Sequence, residues 1–444
     1  MLALPSTLQY STKSTSAFAR SFVSNVQPSG SLDGYTPGST VTFNIPTSPN
    51  SVLCGAESVL KFNLKPTSTT GSARLDSCGA HAVIKRIRIY HGTNLLEDID
   101  NYSLFAKEMY DLQVSNDSVS GKYSILSGTR PDLYGVPVDT TNTISRSMNT
   151  GALLSLSGND YCITLISLLG SLSGSKYLPL FACTSSPIRL EITFVSSIYN
   201  MCCANTLSDP GFTVNRIEFL GSFMELSDSA MTGILSSASG EVFSYNTVGV
   251  RNFQDSMALP SSGTTQKNMV IPARFSSIKS VIVSLRDSAK IGIAGFYPLG
   301  TYKYNLEEYN FKIGTSLIPA KAPSTVPNFF YELLKCVNSV SNVDHQPSID
   351  LASYNINSSG TAVAEAVITS GNGQSGSFYI GLNCENFPNS DTTNFYSGLN
   401  TTNDDVICML KCTGIGADLS MRLDAFVTID QELRFENGVA YLTF

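Results

Sequence analysis

The sequence has no tryptophan, only three histidines and few charges, since Asp, Glu, Lys and Arg fill 14% of its 444 positions. Surface helices are usually rich in charged residues, whereas the Ser, Thr, Asn, Gly and Pro that are frequent here favour strands and turns. The net charge of −7 disfavours a basic surface that follows phosphates. We therefore expect an all-β protein without direct, sequence-specific binding to nucleic acid.

Long apolar segments are also missing. A membrane helix needs ~18 or more consecutive apolar residues, and the best candidate, "YCITLISLLGSLSG", is interrupted by Ser and Gly. The opening residues, "MLALPSTLQY", have no basic region before a short apolar start and soon reach Pro5. This is a poor signal peptide, so we expect a protein that is intracellular when it is made.

Recognisable catalytic motifs are absent as well. The chain has no GxSxG, HExxH, phosphate-binding loop or dinucleotide fingerprint. Its ten cysteines include no CxxC pair, so we expect free and mostly buried thiols. The candidates for redox chemistry are vicinal Cys202 and Cys203, and Cys408 with Cys412. No enzyme activity, catalytic residue, cofactor or metal site is predicted.

One short stretch does concentrate polar side chains. The segment "IRIYHGTNLLEDID", residues 87–100, carries a histidine and three acids: His91, Glu97, Asp98 and Asp100. A metal site needs converging ligands, whereas strand alternation would direct these side chains to opposite faces. Acids that precede a predicted helix can instead cap its free amides. We interpret the stretch as a hairpin turn, followed by Asp98 and Asp100 as caps.

The same order of segments occurs twice in the chain. The first copy reads "VTFNIP" (41–46), "ESVLKFNLK", "IRIYHGTNLLEDIDNYSLFAKEMYDL" and "SPIRLEITFV" (186–195). The second copy reads "KNMVIP" (267–272), "KSVIVSLRD", "YNFKIGTSLIPAKAPSTVPNFFYELL" and "SMRLDAFVTI" (420–429). Three landmark pairs are separated by 226, 222 and 233 residues: Pro46 and Pro272, Gly92 and Gly314, Arg189 and Arg422. One order at similar offsets predicts a duplicated domain.

Periodicity assigns elements to this repeat. Apolar and polar residues alternate in 188–194 and in 421–427, as they do in half-buried strands. The turn Gly92-Thr93-Asn94 follows another alternating run and predicts a hairpin. A helix is predicted after each hairpin from apolar residues at helical spacing: Phe105, Met109 and Leu112, then Phe330, Leu333, Leu334 and Val337, with Pro327 in a first turn.

The repeat also predicts the organisation of the chain. Residues 1–30 contain no acid and are predicted to be a flexible, mildly basic arm. The first domain is predicted at 31–226 and the second at 227–444. Within them, 113–185 and 338–418 exceed the usual connection lengths, so we expect projecting loops that carry some strand.

Two tandem β domains, each with a hairpin, a helix and a long insertion, resemble the double jelly-roll major capsid proteins of tailless icosahedral double-stranded DNA viruses. "IRIYHGTNLLEDIDNYSLFAKEMYDL" resembles that family's hairpin and following helix, and "SPIRLEITFV" a strand late in its first roll. "NRIEFLGSFMEL" resembles the crossover between rolls, and "DQELRFENGVAYLTF" the closing strands. The resemblance covers roughly residues 30–444 and is nearest to the polinton-like virus, virophage and nucleocytoplasmic large DNA virus group. It implies two tandem eight-stranded jelly rolls with short helices in loops.

The resemblance further implies a major capsid protein that forms pseudo-hexameric homotrimers, which tile an icosahedral shell in the virion. Its partners would be further copies of itself, penton and minor capsid proteins and an internal membrane, with assembly inside the host cell. Two alternatives are a double jelly-roll hydrolase that acts on glycans, with acids converging between the rolls, and a secreted lectin-like adhesin with oxidised cysteines. Under the capsid interpretation, His91→Ala leaves assembly intact, whereas a bulky β-branched residue at Gly92 disturbs the hairpin.

Overall fold

The computed structural model describes residues 19–129, 152–170, 176–237, 243–340, 346–365, 375–386 and 396–444. Residues 1–18 of the predicted arm, His345 and parts of both predicted insertions lie outside the described residues. Within the described ranges, no helix is long and apolar enough to cross a membrane.

The first half of the described chain forms strands β1 to β10, which we call roll 1. Their bounds are β1 (Ala19–Val26), β2 (Thr40–Ile45), β3 (Ser51–Pro66), β4 (Ala73–Leu75), β5 (Ile84–His91), β6 (Asn94–Asp100), β7 (Asn159–Ile163), β8 (Ile188–Phe194), β9 (Cys202–Ala204) and β10 (Phe212–Leu226). Two four-stranded sheets result, in the orders β1-β10-β3-β7 and β2-β8-β5-β6, beside the short pair β4-β9.

The second half forms strands β11 to β19, which we call roll 2. Their bounds are β11 (Phe243–Leu259), β12 (Thr264–Ile271), β13 (Ile278–Asp287), β14 (Leu306–Ile313), β15 (Ser316–Ile318), β16 (Tyr379–Asn383), β17 (Val406–Thr413), β18 (Leu419–Glu436) and β19 (Val439–Thr443). The sheet orders are β11-β18-β13-β16, with β19 added beside β18, and β12-β17-β14-β15.

The two rolls have the same topology. When β4, β9 and β19 are set aside, each roll has eight strands, and numbering these from one to eight gives sheet orders 1-8-3-6 and 2-7-4-5 in both. All these strand pairs are antiparallel. Two four-stranded antiparallel sheets connected in this order are a jelly roll. The predicted all-β fold of two tandem eight-stranded jelly rolls is confirmed.

Alternation of side chains explains how each roll acquires a core. In β8 the apolar residues Ile188, Leu190, Ile192 and Phe194 are all fully buried, and the polar residues between them are half-buried. In β17 the inward positions are Val406, Cys408, Leu410 and Cys412. Because the side chains of a strand alternate between faces, one face of each sheet fills the interior. Two large apolar cores result, one centred in each roll.

Helices occupy the connections between strands. Their bounds are α1 (Tyr102–Gln113), α2 (Asn116–Ser120), α3 (Lys122–Ser127), α4 (Asp228–Ser237), α5 (Val326–Cys336) and α6 (Leu351–Tyr354). Helices α1 and α5 follow the fifth strand of their roll, and Pro327 lies in the first turn of α5, as helix geometry favours. The two helices predicted from apolar spacing are therefore confirmed.

One landmark of the predicted repeat is wrong. Arg189 lies on β8, the seventh strand of roll 1, whereas Arg422 lies on β18, the eighth strand of roll 2. The counterpart of β8 is β17, which lies inside the insertion predicted at 338–418. Both the seventh and the eighth strands lie within their sheets and alternate, so periodicity alone does not distinguish them. The other two landmarks fall at equivalent places, after β2 and β12 and in the β5–β6 and β14–β15 hairpins.

The predicted arm is also wrong in part. Residues Ala19–Val26 form β1, which pairs along its whole length with β10. The strand lies at the edge of its sheet and is mostly exposed, so its sequence lacks the alternation that a buried face would impose. The predicted domain boundary at residue 227 falls between the end of β10 and the start of α4.

Candidate assembly interface

His91 is buried at the end of β5 and connects three segments of the chain. Its Nε2 lies 2.9 Å from the carbonyl oxygen of Ser186, and its Nδ1 accepts a 3.0 Å hydrogen bond from the backbone N–H of Ala440. An imidazole that accepts at Nδ1 and donates from Nε2 carries a single proton. The side chain therefore links β5 to the segment before β8 and to β19.

The three acids near this histidine have separate environments. Glu97 is buried, whereas Asp98 forms a two-bond ion pair of 2.6 and 2.7 Å with Arg86 on the neighbouring strand. Strand β6 extends through Asp100, and Asn101 occupies the N-cap of α1 without a side-chain capping bond. The prediction that Asp98 and Asp100 cap the helix is therefore wrong, since pairing across the hairpin engages Asp98 instead.

The described residues contain no group of three or more His, Cys, Asp and Glu side chains placed to hold a metal ion. All ten cysteines are free thiols, and eight of them are buried. Burial raises the pKa of the four redox candidates, to about 12 for Cys203 and Cys412 and also upward for Cys202 and Cys408. Because the thiolate is the reactive form, these positions suit packing rather than redox chemistry.

Helix α1 lies between the two rolls and is buried along most of its surface. Its charged residues Lys107, Glu108 and Asp111 are buried as well. The ring of Phe105 packs against Phe426 of β18, with ring centroids 5.4 Å apart. Charged side chains are rarely buried unless they are paired, so α1 has the composition of an element that needs specific partners.

The opposite face of α1 binds roll 1 through a buried histidine. The Nδ1 and Nε2 of His81 each lie 3.0 Å from a hydroxyl oxygen, those of Tyr102 and Tyr110. Burial lowers the pKa of His81 to about 3, so the ring is neutral at physiological pH. This neutral cluster fixes α1 on its own roll and orients its charged face toward roll 2.

The first polar network at the junction between the rolls is centred on α1. The Nζ of Lys107 donates to Asp111 Oδ2 at 2.7 Å and to Ser377 Oγ of roll 2 at 2.9 Å. The hydroxyl of Tyr379, on β16, donates to the same carboxylate at 2.8 Å. Because the cation and the carboxylate neutralise each other, roll 2 packs against a hydrogen-bonded ion pair and not against two isolated charges.

A second polar network surrounds Asp424 on β18. Its carboxylate lies 2.6 Å from Nη2 of Arg286 and 3.1 Å from Nη2 of Arg422, and it accepts a 2.9 Å hydrogen bond from Nδ2 of Asn101 in roll 1. Hydrogen bonds between charged groups are directional and short. The network therefore fixes the position of roll 1 on the outer face of the 1-8-3-6 sheet of roll 2.

The hairpin of β18 and β19 supplies a third contact between the rolls. The Nδ2 of Asn94 donates to the carbonyl oxygen of Ala440 at 3.1 Å, beside the bond that Ala440 makes to His91. Leu433 and Phe435 of β18 are buried in the core of roll 1. Roll 2 therefore contributes side chains to the core of its neighbour.

A cleft of about 690 Å³ lies beside α1 at this junction. Apolar side chains from both rolls line much of it, among them Phe105, Met109, Val250, Ile282 and Cys336. The junction is thus closely packed around the polar networks and open to one side of α1.

The equivalent helix of roll 2 has different surroundings. Helix α5 packs on β16 and buries Phe329 and Leu333, but Pro327 and Asn328 are exposed and Tyr331 is 50% exposed. Its fifth-strand neighbour β15 exposes Leu317 as β6 exposes Leu95 at the equivalent position, but β6 also lies against β11 and β19 of roll 2. Roll 2 therefore covers α1 and β6 of roll 1, whereas their counterparts in roll 2, α5 and β15, are open in the described chain.

The outer faces of the two 1-8-3-6 sheets show the same contrast. In roll 2, Ile282 and Phe426 on this face are buried beneath roll 1. In roll 1, Val59 and Leu220 are half-buried and Lys61 is exposed. One copy of a repeated surface is covered within the chain and the other is open.

The sequence pattern predicts none of the residues that form the polar networks between the rolls. The one usable signal is the spacing of Lys107 and Asp111 at i and i+4, which is typical of a helical ion pair.

No protein-family model matches the chain, and no curated protein matches it. Solved structures do match. PBCV-1 VP54, fitted into a reconstruction of the virophage Sputnik, has a TM-score of 0.65 and 12% identity, covering 98% of this chain and 99% of that chain. The Sputnik virophage structure has a TM-score of 0.61 and 8% identity, covering 100% and 93%. The mavirus major capsid protein has a TM-score of 0.55 and 11% identity, covering 100% and 95%.

These similarities extend over nearly the whole of each chain. The chain therefore has the double jelly-roll fold that occurs in the major capsid proteins of icosahedral double-stranded DNA viruses. The resemblance predicted from the sequence is confirmed at the level of the fold. Fold alone does not determine function, so the function of this chain depends on its exposed and buried surfaces.

Proposed function

We propose that the chain is a major capsid protein whose homotrimers, pseudo-hexameric in outline, tile the shell of an icosahedral virus. The observation that carries this proposal is the unequal covering of two equivalent faces. Roll 1 covers the 1-8-3-6 face of roll 2 through α1, and the same face of roll 1 is open. A second copy can place its α5 on that open face.

Repetition of one junction explains why assembly would stop at three copies. The second contact joins roll 2 of one copy to roll 1 of the next, so it is heterologous, and such contacts close into rings when the rotation permits. If the rotation from each roll to the next closes the ring after six rolls, three copies with two rolls each complete it.

The proposal describes a mechanical role. The chain contributes buried surface and directional polar contacts, and no catalytic step is assigned to it. Further trimers, penton and minor capsid proteins and an internal membrane are the proposed partners, and the virion capsid is the proposed location after assembly in the host cell. The proposed domain limits are 19–226 and 227–444, because the predicted start of roll 1 at residue 31 moves to include β1.

The alternatives make different demands on the structure. A glycan hydrolase needs an accessible pair of acids between the rolls, whereas Asp111 and Asp424 are buried there with cationic partners. A secreted adhesin was expected to have oxidised cysteines, and all ten are free thiols. These observations favour the capsid proposal over both alternatives.

The test is the oligomeric state of the purified protein and of one α5 variant. Light scattering and electron microscopy should show a trimer with a hexagonal outline for the unaltered chain. Tyr331→Glu should give monomers, because it removes an aromatic ring from the proposed contact and replaces it with a carboxylate that would lose its hydration on association. Val270→Glu is the matched control, since Val270 is 52% exposed and lies on β12, at the far edge of the other sheet.

The control should remain trimeric. If the unaltered chain stays monomeric at every concentration, the proposed function is wrong. If both variants dissociate, or neither does, the assignment of α5 to the trimer contact is wrong.

A further inference from the structure

Buried acids at the junction between the rolls fall into two groups. Asp111 and Asp424 have cations within 2.7 Å. Glu97 and Glu108 are each only 1% exposed, and neither forms an ion pair with a described residue. Burying a carboxylate without a counterion is far more costly than burying a paired one. The two groups should therefore respond differently to pH.

Glu108 is the more isolated of the two acids. Within the described part of the chain, neither of its carboxyl oxygens has a hydrogen-bond partner. Glu108 interacts electrostatically with titratable groups on four elements. These are Asp111 of α1, Asp424 of β18, Cys336 of α5 and Tyr379 of β16. Asp111 and Asp424 already pair with Lys107 and Arg286, so an ionised Glu108 would lie beside two carboxylates whose cations are engaged.

Among the described residues, Glu97 forms a single hydrogen bond. Its Oε2 accepts a 2.7 Å bond from the backbone N–H of Leu168, and its Oε1 has no partner among the described residues. The charged and titratable groups around it are Asp98, Tyr102 and, from β11 of roll 2, Arg251. Arg251 is the one cation in this set, and it forms no ion pair with Glu97 within 4 Å.

We propose that Glu97 and Glu108 form a carboxyl latch, closed while both acids are protonated and opened when they ionise. In the closed state both side chains are neutral, and α1 and β6 remain packed against roll 2. When the acids lose their protons, hydration of the carboxylates favours separation of α1 from β18. The cleft beside Phe105, Met109 and Cys336 gives water access to this part of the junction.

The direction of the pH effect follows from burial. Burial raises the pKa of Glu97 from 4.5 to about 8 and raises the pKa of Glu108 well above its usual range. A group with a raised pKa in the closed state stabilises that state fully below its usual pKa, and this stabilisation is lost as pH rises to the raised value. The latch should therefore weaken from about pH 4.5 upward, through about pH 8 for Glu97 and beyond for Glu108.

Hydrogen–deuterium exchange on the full chain tests the proposal. Exchange rates in α1 and β18, corrected for intrinsic pH dependence, should rise by at least about tenfold between pH 5 and pH 9. The double variant Glu97→Gln/Glu108→Gln should abolish most of this rise, because glutamine resembles the protonated acid. The control Glu225→Gln, at an exposed site on β10, should retain it.

The same pH-dependent rise in the double variant and in the unaltered chain would overturn the proposal. Infrared spectroscopy of the unaltered protein provides a second measurement that does not require the variants to fold. At neutral pH it should detect protonated carboxylic acids, and a spectrum with carboxylates alone would also overturn the proposal. Both measurements concern one chain, so their outcome is independent of whether trimers form.

Discussion

Ion pairs join the third and eighth strands in both rolls, and two of these pairs differ strongly in exposure. Arg286 and Asp424 of roll 2 approach to 2.6 Å, with side chains 5% and 0% exposed. Lys61 and Glu218 of roll 1 are 3.8 Å apart, with side chains 52% and 22% exposed. The topology of the two sites is the same, and what differs is the presence of α1 above one of them. The two copies of the fold therefore differ in surface exposure, because different elements pack on them.

The largest expected effect comes from breaking the buried pair. Asp424→Ala should lower the free energy of unfolding by about 3–5 kcal/mol, because Arg286 is left buried without its counterion. Glu218→Ala should cost about 0–1 kcal/mol, because an exposed pair contributes little. Chemical denaturation of both variants in the Tyr331→Glu background, where we expect monomers, measures the difference. Equal losses would show that α1 does not set the contribution of these pairs.

A smaller effect is expected where the C-terminal hairpin meets roll 1. His91→Ala leaves the N–H of Ala440 and the carbonyl of Ser186 without their buried partner, which should cost about 1–3 kcal/mol. The trimer should still form, because the hydrogen bonds of His91 join segments of one chain and lie away from α5. Thermal unfolding and light scattering on the same sample test both parts. Loss of the trimer at unchanged stability would contradict this assignment.

The smallest effect should be the same in both rolls. Gly92 and Gly314 occupy equivalent hairpin turns with φ of +60° and +57°, where a residue with a Cβ is disfavoured by about 1–2 kcal/mol. Gly92→Val and Gly314→Val should therefore lower the melting temperature similarly. Asparagine tolerates this backbone region, so the two Asn variants should lose less. A large loss in one roll alone would indicate that its hairpin has a role beyond the turn.

Local features of the fold could be read from the sequence because they depend on neighbouring residues. The alternation from Ile188 to Phe194, the turn at Gly92 and the helical spacing around Phe105 each report a local geometry. The exposed strand β1 has no such alternation, and β17 places cysteines at inward positions. Periodicity therefore fails to predict β1 and matches β18 instead of β17 to β8, although the repeat predicts two domains.

The interface between the rolls depends on distant residues and was not predictable in this way. Lys107 and Asp111 have the spacing of an ordinary surface ion pair. Their burial is visible only once Ser377 and Tyr379, more than 260 residues away, lie against them. The acids after His91 form a more prominent sequence pattern, because they are close together in the sequence.

The buried thiols have a practical consequence for studying how the molecule opens. Six cysteines lie within the limits of roll 1 and four within those of roll 2, and none of them forms a disulfide. Burial raises the pKa of Cys183 in roll 1 and of Cys384 in roll 2, each to about 12, so alkylating reagents should react slowly until the surrounding strands separate. Mass spectrometry after brief alkylation would then identify which roll unfolds first. The native cysteines therefore provide the reactive sites needed to follow the unfolding of each roll.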